Sequence, residues 1–460
     1  MSDEARNNWL PEGWTRTNLG DVFPLIYGKG LPKRSREESG SVPVYGSNGI
    51  VGYHSEALTR DETVVVGRKG TVGAVHHSPI PCWPIDTTYF LDNKRGNSLR
   101  FCYYLLRHLQ LASYDRSTAI PGLNRKDYDA IEVGLPDVEQ QQRIVAKIEE
   151  LFSDLDAGVA ALERVQANLQ RYRASVLKAA VEGRLTQQWR AEYPDVEPAD
   201  ELLQRILTQR KNNWQAAIQK KDKRNQWVNG AMPTKGKYSD PNLNLPDNLP
   251  TLPNSWTWTT LDALTYFTVD YRGKTPPTAE EGIPIISAAN VHGGEIVANR
   301  PRKVSEDTFW RWTVRGMPEP GDLLVTTEAP VAEVALYPSD QTYVLTRRVF
   351  ACQTAGVDNR FIIHALRSEV AQQYIHRCLR GTTVPRILKP DLLATPIPLP
   401  PLSEQHQIAD QIEAEYTRNE VVKNMCERGI TQSANLRQSI LKRAFEGNLL
   451  NAETKTAAAG

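Results

Sequence analysis

The chain says nearly the same thing twice. Residues 175–185, Ser-Val-Leu-Lys-Ala-Ala-Val-Glu-Gly-Arg-Leu, return 264 positions later as Ser-Ile-Leu-Lys-Arg-Ala-Phe-Glu-Gly-Asn-Leu. The same offset carries Pro121 to Pro385, Leu135-Pro136 to Leu399-Pro400, Ile144 to Ile408 and Ile148 to Ile412. One period held over so long a stretch means two copies of a structural unit, and that limits the fold more than any local motif does. An earlier match, Leu10-Pro11-Glu12-Gly13-Trp14 with Leu252-Pro253-Asn254-Ser255-Trp256, has an offset of 242. The second copy therefore carries 22 extra residues between this opening and its proline motif. One half of each copy varies in length, and the other half is fixed.

The fixed half reads as a long helix. No proline occurs from Asp137 to Val181, and apolar residues recur in steps of three or four at Ile144, Ile148, Leu151, Leu155, Val159, Leu162, Val165, Leu169, Tyr172 and Val176. That is the spacing of a coiled-coil seam. Pro136 precedes it and Gly183 follows it, as start and stop signals should. At ~1.5 Å per residue it would be about 67 Å long, with a bend expected at Gly158. The second copy, 402–445, keeps Ile408, Ile412, Tyr416, Val422, Met425, Leu436 and Ile440, but Asn419 and Gly429 interrupt the stripe. An isolated amphipathic rod leaves its apolar face wet. The other copy is the nearest partner, so an antiparallel pair about a pseudo-twofold is expected, with a globular domain at each end.

The variable halves read as mixed α/β. Short strand candidates bounded by Gly, Pro or Asn are Val42–Tyr45, Thr63–Val66, Gly73–Val75, Ile283–Ser287, Leu323–Thr326 and Val331–Leu336. Phe101–Leu111 and Arg360–Leu379 read as helices, and each variable half leaves through a strand-like segment, Ile131–Pro136 and Thr395–Pro400. Between the copies, Asp200–Trp227 has helical composition with many cations (Lys220, Lys221, Lys223 and Arg224), a run that reads first as a solvated face and otherwise as a contact to a phosphate backbone or a partner subunit, and Gly230–Pro253 is irregular. The expected class is α+β, divided as 1–134 (first variable domain), 135–185 (first long helix), 186–251 (linker), 252–398 (second variable domain), 399–450 (second long helix) and 451–460 (disordered tail).

Bulk properties exclude several classes. No apolar run reaches the roughly 20 residues that a membrane span needs, and the N-terminus has no signal-peptide core. Five scattered cysteines, none in CxxC spacing, argue against a zinc site or disulfide framework and fit a reducing cytoplasm. The net charge of +1 is not that of a protein that only coats nucleic acid, but it allows cations grouped on one face. There is no Asn-Pro-Pro-Tyr or Asp-Pro-Pro-Tyr, no strand-borne GxGxxG, and no Glu-x-Lys after Pro194-Asp195. Gly273-Lys274-Thr275 is not a P-loop tail, because Thr268 stands where the motif needs glycine. The paired His76-His77 lacks metal-ligand companions and reads as strand.

Each long helix opens with Leu-Pro followed by a Gln or Glu-Gln pair and two isoleucines (Leu135-Pro136, Gln140-Gln141, Ile144, Ile148; Leu399-Pro400, Glu404-Gln405, Ile408, Ile412). Each closes with Leu-Lys-x-Ala-x-Glu-Gly-x-Leu at 177–185 and 441–449. With two variable domains entered through Leu-Pro-x-x-Trp, the whole chain resembles the specificity subunit of type I restriction–modification systems. The resemblance implies that each variable domain is a target-recognition domain reading one half of an asymmetric, bipartite double-stranded DNA site. It implies that the helices act as spacer and scaffold for two methyltransferase (modification) subunits and two restriction/translocase subunits. S-adenosylmethionine, ATP and Mg would belong to those partners, and this chain would be neither an enzyme nor a membrane protein. Two other readings stay open: a coiled-coil scaffold whose tandem domains bind a ligand other than DNA, such as carbohydrate, and a self-sufficient methyltransferase fusion.

Candidate DNA contacts follow from residue chemistry. Cations and small residues position a phosphate backbone, while Arg and Asn can pair bidentately with guanine and adenine. In the first domain these are Lys29, Lys33, Arg34 and Arg36 in a Gly-containing basic loop, Asn48 after a strand, Arg68, Lys69 and Thr71 in Gly67–Gly73, and Thr118 beside the helix entry. In the second they are Arg272, Lys274, Thr275, Asn290, Thr326, Thr327, Thr382, Thr383 and Arg386. Each has a structural alternative: an ordinary cationic hairpin for Arg68 and Lys69, and a turn-forming asparagine for Asn48 and Asn290. The expected helix–helix residues are Ile144, Ile148, Leu151, Leu155, Leu162, Leu169, Tyr172, Val176, Ile408, Ile412, Tyr416, Met425, Leu436 and Ile440.

Overall fold

The computed structural model describes residues 10–37, 39–91, 96–114, 122–225, 238–271, 275–297, 302–313 and 316–450. The chain forms two compact units, 1–166 with 424–460, and 167–423. Each unit therefore takes one variable domain and a stretch of both long helices, which run from Val138 to Val181 and from Leu402 to Phe445.

In the first unit, strand Thr15–Asn18 pairs antiparallel with Glu132–Leu135, Thr15 opposite Leu135. The chain thus enters and leaves the domain side by side. Beyond this neck lies a four-stranded sheet in the order Leu25–Tyr27, Thr88–Leu91, Thr63–Gly67, Val75–Ser78. A three-stranded layer has the order Gly49–His54, Val42–Gly46, Trp83–Pro84, the last pair parallel. Helix Leu99–Leu109 buries Phe101, Cys102 and Leu106 in a core shared with Leu19, Tyr128, Ile144, Ile148 and Phe152.

The second unit repeats this plan. Thr257–Thr260 pairs with Pro396–Leu399, Thr257 opposite Leu399. Its larger sheet has the order Thr265–Asp270, Val349–Thr354, Leu323–Thr327, Val331–Leu336, and its smaller one Lys303–Val304, Ile283–Ile286, Val344–Leu345. The expected helix over 360–379 is instead two, Asn359–Leu366 and Glu369–Arg377. Ser368 breaks it by capping the second, its hydroxyl accepting from the Ala371 amide. The linker helix Ala199–Asn225 begins as part of this core, burying Leu202 and Ile206. Arg210, also buried, donates to the carbonyls of Thr265, Asp262 and Ser239. The side chains of Lys220, Lys221, Lys223 and Arg224, and the tail 451–460, lie outside the described residues.

The recurring motifs have matching physical roles. Fully buried Gln141 donates to the Pro136 carbonyl at 3.0 Å and accepts from the Ser98 amide at 2.9 Å. Gln405 does the same with Pro400 and Asp358, at 2.9 and 3.0 Å. Ser98 and Asp358 are the N-caps of the domain helices, so one amide side chain ties each long helix to its domain. Trp14 meets Phe101 edge-on at 6.4 Å, and Trp256 meets Phe361 likewise at 6.4 Å. At the far ends, Gly183 and Gly447 both take φ +75°. The Arg184 and Asn448 amides bond back to Ala179 and Arg443 in the manner of a Schellman stop. A Cβ at Gly183 would fall 2.5 Å from Pro253, and one at Gly447 2.4 Å from Pro11, so each stop glycine admits a proline of a Leu-Pro-x-x-Trp entry.

The long helices pair antiparallel, but only in part along the expected apolar seam. In the first unit Arg437 pairs with Asp156 and lies 4.9 Å from the Phe152 ring centre, while Leu162 packs at Gly429. In the second, Arg173 pairs with Glu420 at 3.0 Å and lies 5.2 Å from the Tyr416 ring. These are the same brace in both copies. Ile144, Ile148, Val176, Ile408 and Ile412 are buried in the two globular cores. Leu151, Leu155, Leu162, Leu169, Tyr416 and Ile440 are half-buried. Tyr172, Met425 and Leu436 are exposed at 46%, 65% and 51%; Tyr172 still reaches the other helix, its hydroxyl donating to Glu415 Oε2 at 3.0 Å, whereas Met425 and Leu436 stand outside the seam. Buried Cys426 and Asn419 stand on the inner face, and Gly429, expected to interrupt it, makes room for Leu162. Gly158 does not interrupt the helix. All five cysteines are free, and no helix among the described residues is long and apolar enough to cross a membrane.

His364 sits edge-on to Tyr416 at 5.9 Å with its Nδ1 buried and unpartnered among the described residues. Burial, and then the Arg367 charge, lower its pKa to about 4. The folded state thus prefers the neutral ring. Stability is intact above the unfolded value near 6.5 and is lost as pH falls from there toward about 4. Urea unfolding should show wild type losing about 2 kcal/mol relative to His364→Phe between about pH 7.5 and about pH 5. Parallel curves would contradict the assignment. In the same assay Gly158→Ala, in open space, should gain about 1 kcal/mol. Gly447→Ala should lose at least about 1–2 kcal/mol through the left-handed backbone, before any clash with Pro11 is counted.

Candidate nucleic-acid interface

Three loops of the first domain converge on Pro84–Thr88. The Lys29 amide donates to the Pro84 carbonyl at 3.0 Å, the Ile85 amide to Tyr45 at 2.9 Å, and the Arg68 and Lys69 amides to Thr87 at 2.9 and 3.1 Å. The hairpin turn Ser47-Asn48 lies against the loop Arg68–Gly73, a Cβ on Gly70 falling 3.1 Å from Ser47 Oγ. His76 and His77 are strand residues; His76 Nε2 lies 3.2 Å from the Ser47 carbonyl. This geometry brings Lys29, Asn48, Arg68, Lys69 and Thr71 to one edge of the domain. Asn48, Lys69, Thr71 and Lys29 are exposed. Lys29 lies 5.8 Å from the Trp83 ring centre. Arg68 lies 5.3 and 5.9 Å from the Tyr27 and Tyr89 rings, cation–π contacts that restrain the guanidinium. Burial, then the bond with Tyr27, push the Tyr89 hydroxyl up to about 12, so it stays neutral.

Lys33 and Arg34 are exposed on the short turn Lys33–Ser35. Arg36 is not free for DNA: it donates to the Val51 and Leu31 carbonyls at 3.0 and 3.3 Å and holds its own loop. Thr118, Arg272 and Lys274 lie outside the described residues.

The second domain builds the same junction around Thr346–Arg348. The Thr346 amide donates to Ile286 at 3.0 Å, the Thr327 amide to Arg348 at 2.9 Å, and the Ile387 amide to Thr327 at 3.0 Å. Glu328 and Arg386 pair through their backbones, so the loop carrying exposed Thr382, Thr383 and Arg386 returns to the same edge. Thr275 is exposed and lines a cavity there. Thr327 is half-buried, its hydroxyl 3.4 Å from the Arg348 carbonyl.

Two expected readers are committed elsewhere. Asn290 Oδ1 accepts from the Ser287 amide and hydroxyl at 2.9 and 2.7 Å, and its Nδ2 donates to Val297 at 3.0 Å, leaving no edge for adenine. Thr326 is fully buried, donating to Pro330 and accepting from the Glu333 amide. Arg302, Arg347 and Arg348, which no motif in the sequence marks, line the junction cavity. The strand register gives the correspondence: Arg347-Arg348 precede Val349-Phe350 as Asp86-Thr87 precede Thr88-Tyr89.

Two like domains, each meeting DNA-suited side chains at one edge and joined to paired helices, define a tandem reader on a scaffold. A family model, the type I restriction modification DNA specificity domain, matches residues 11–164 and again 272–425, and the chain belongs to that family. The type I restriction enzyme EcoDI specificity subunit of Escherichia coli is 23% identical over 455 residues, covering 96% of this chain and 89% of that protein. The EcoKI specificity subunit of Escherichia coli strain K12 is 22% identical over 489 residues, covering 96% and 90%. The HsdS subunit from Thermoanaerobacter tengcongensis shares the fold, with a TM-score of 0.51 at 19% identity over 96% of this chain and 98% of that one. A chain from a structural study of complex assembly and conformational transition of the type I R-M system gives 0.54 at 18%, over 96% and 99%.

Asn48→Ala should leave unfolding stability within about 0.5 kcal/mol of wild type, because its exposed side chain anchors nothing. Asn290→Ala should destabilise the second unit by about 1–3 kcal/mol, because it strands the groups its amide satisfies. Equal stabilities of the two variants in denaturant unfolding would contradict this division.

Proposed function

We propose that this chain is the DNA-reading subunit of a type I restriction–modification complex and recognises an asymmetric bipartite site, one half per variable domain. One observation carries the asymmetry. Both domains gather loops on the same junction, yet the first presents Asp86-Thr87 there and the second Arg347-Arg348. Like frames with unlike side chains read unlike sequences. Two readers on a helical spacer fix the interval between half-sites, as dimer geometry does in other DNA-binding proteins.

The chain itself performs no chemical step in this reading. Two modification subunits would bring S-adenosylmethionine and methylate adenine, two restriction subunits would use ATP and Mg, and the assembly would work in the cytoplasm. Apolar side chains left exposed on the helices offer a docking surface for such partners. They are Val165, Met425 and Leu436 in the first unit, and Val421 and Val422 in the second.

The test is to map methylated adenines in cells expressing the chain with its modification subunits. A bipartite, asymmetric motif with one fixed gap is expected. Removing equal whole-turn segments from both long helices should shorten the gap and leave both half-sites unchanged. A contiguous palindrome would overturn the proposal.

A further inference from the structure

The second domain holds a cavity of about 310 Å³ whose walls include Ser287, Ala329, Thr346 and three arginines, Arg302, Arg347 and Arg348. Three guanidinium groups at one small concavity repel one another unless an anion or an acceptor-rich surface meets them. Glu328 answers one of them, its Oε1 2.7 Å from Arg348 Nη2. Arg302 and Arg347 are exposed and have no ion-pair partner among the described residues.

The three are not equivalent. Arg348 is only 37% exposed and is held at both ends. Its carbonyl accepts from the Thr327 amide at 2.9 Å, and its head is fixed by Glu328. Its Nε is buried without a partner among the described residues, so the donors it has left for a ligand are those of Nη1 and Nη2. A guanidinium has five N–H donors, and the Glu328 contact leaves most of that end unused. A guanidinium held by a carboxylate on one nitrogen and keeping donors on both Nη atoms suits guanine, whose O6 and N7 are paired acceptors in the major groove. Unfettered arginines on the rim suit phosphates, which need charge rather than fixed direction.

We infer that Arg348, positioned by Glu328, reads a guanine in the half-site of the second domain, while Arg302 and Arg347 hold flanking phosphates. The first domain has Thr87 at the matching junction position, so the other half-site lacks this contact. The inference rests on the DNA-reading function proposed above and names the base that one half-site must contain.

The test uses the assembled complex of this chain with its modification subunits, reading adenine methylation genome-wide. Wild type should methylate a bipartite motif with a fixed G·C pair in one half. Arg348→Ala should relax that single position by about 5- to 150-fold in discrimination while leaving the other half-site intact. Arg347→Ala should lower methylation evenly across sites, and in binding assays should reduce the salt slope by about one unit. Should Arg348→Ala lose all methylation, Arg348→Gln decides. A motif altered at that one pair supports the inference; an unaltered motif, or no methylation from a complex that still assembles, overturns it. A wild-type complex without any bipartite motif would instead sink the DNA-reading proposal itself.

Discussion

One buried amide side chain in each copy joins the two halves of the design. Gln141 and Gln405 each spend their N–H on the carbonyl of the proline that opens a long helix, and their oxygen on the backbone amide capping a domain helix. Both ends are shielded from water, so removing either side chain would strand a buried donor and a buried acceptor together. The edge-on Trp–Phe contacts and the paired neck strands depend on the orientation this bond sets. The rest of each domain can vary because this junction does not.

The copies are not perfect replicas, and their differences show what the frame tolerates. At the position before the clamp, the first copy has Gln140, whose backbone amide donates to Asp137 Oδ1 at 2.7 Å. The second has Glu404, a fully buried carboxylate paired with Arg190 and accepting from Thr186 at 2.6 Å and Trp256 at 2.8 Å. A buried charge is tolerated only when it is paired and hydrogen-bonded. Two of these partners, Thr186 and Arg190, come from the linker that follows the first long helix, so the linker is tied into the second unit rather than left as a tether.

The repeat made the long helices, their stop glycines and the necks legible, because those elements rest on local rules and recur at one offset. What covers each stretch of the buried face was not legible, nor which residues complete that face in the second helix. Spacing marks Met425 and Leu436 as seam residues, whereas Arg173, Arg437, Cys426 and Gly429 occupy the inner face. A periodic stripe says that a face is buried, not whether a globular core or a neighbouring helix covers it. The same limit applies to the interface. Asn48 and Asn290 both follow a strand and are indistinguishable as letters, yet one is exposed and the other is consumed by its own turn. Nothing local marks Arg347 and Arg348, two arginines before a strand, as a meeting point of three distant loops.

The neck has a consequence for how such a protein can change its target. Thr15 lies opposite Leu135 and Thr257 opposite Leu399, so each reading domain begins and ends at adjacent points on one pair of strands. Whatever lies between is, to the helices, a closed excursion: the 22 additional residues of the second copy lengthen it without moving its two ends apart. Novelty is thereby confined. A replaced excursion needs to honour only two short strands, one tryptophan and one helix cap, and the ruler beneath it keeps its graduation.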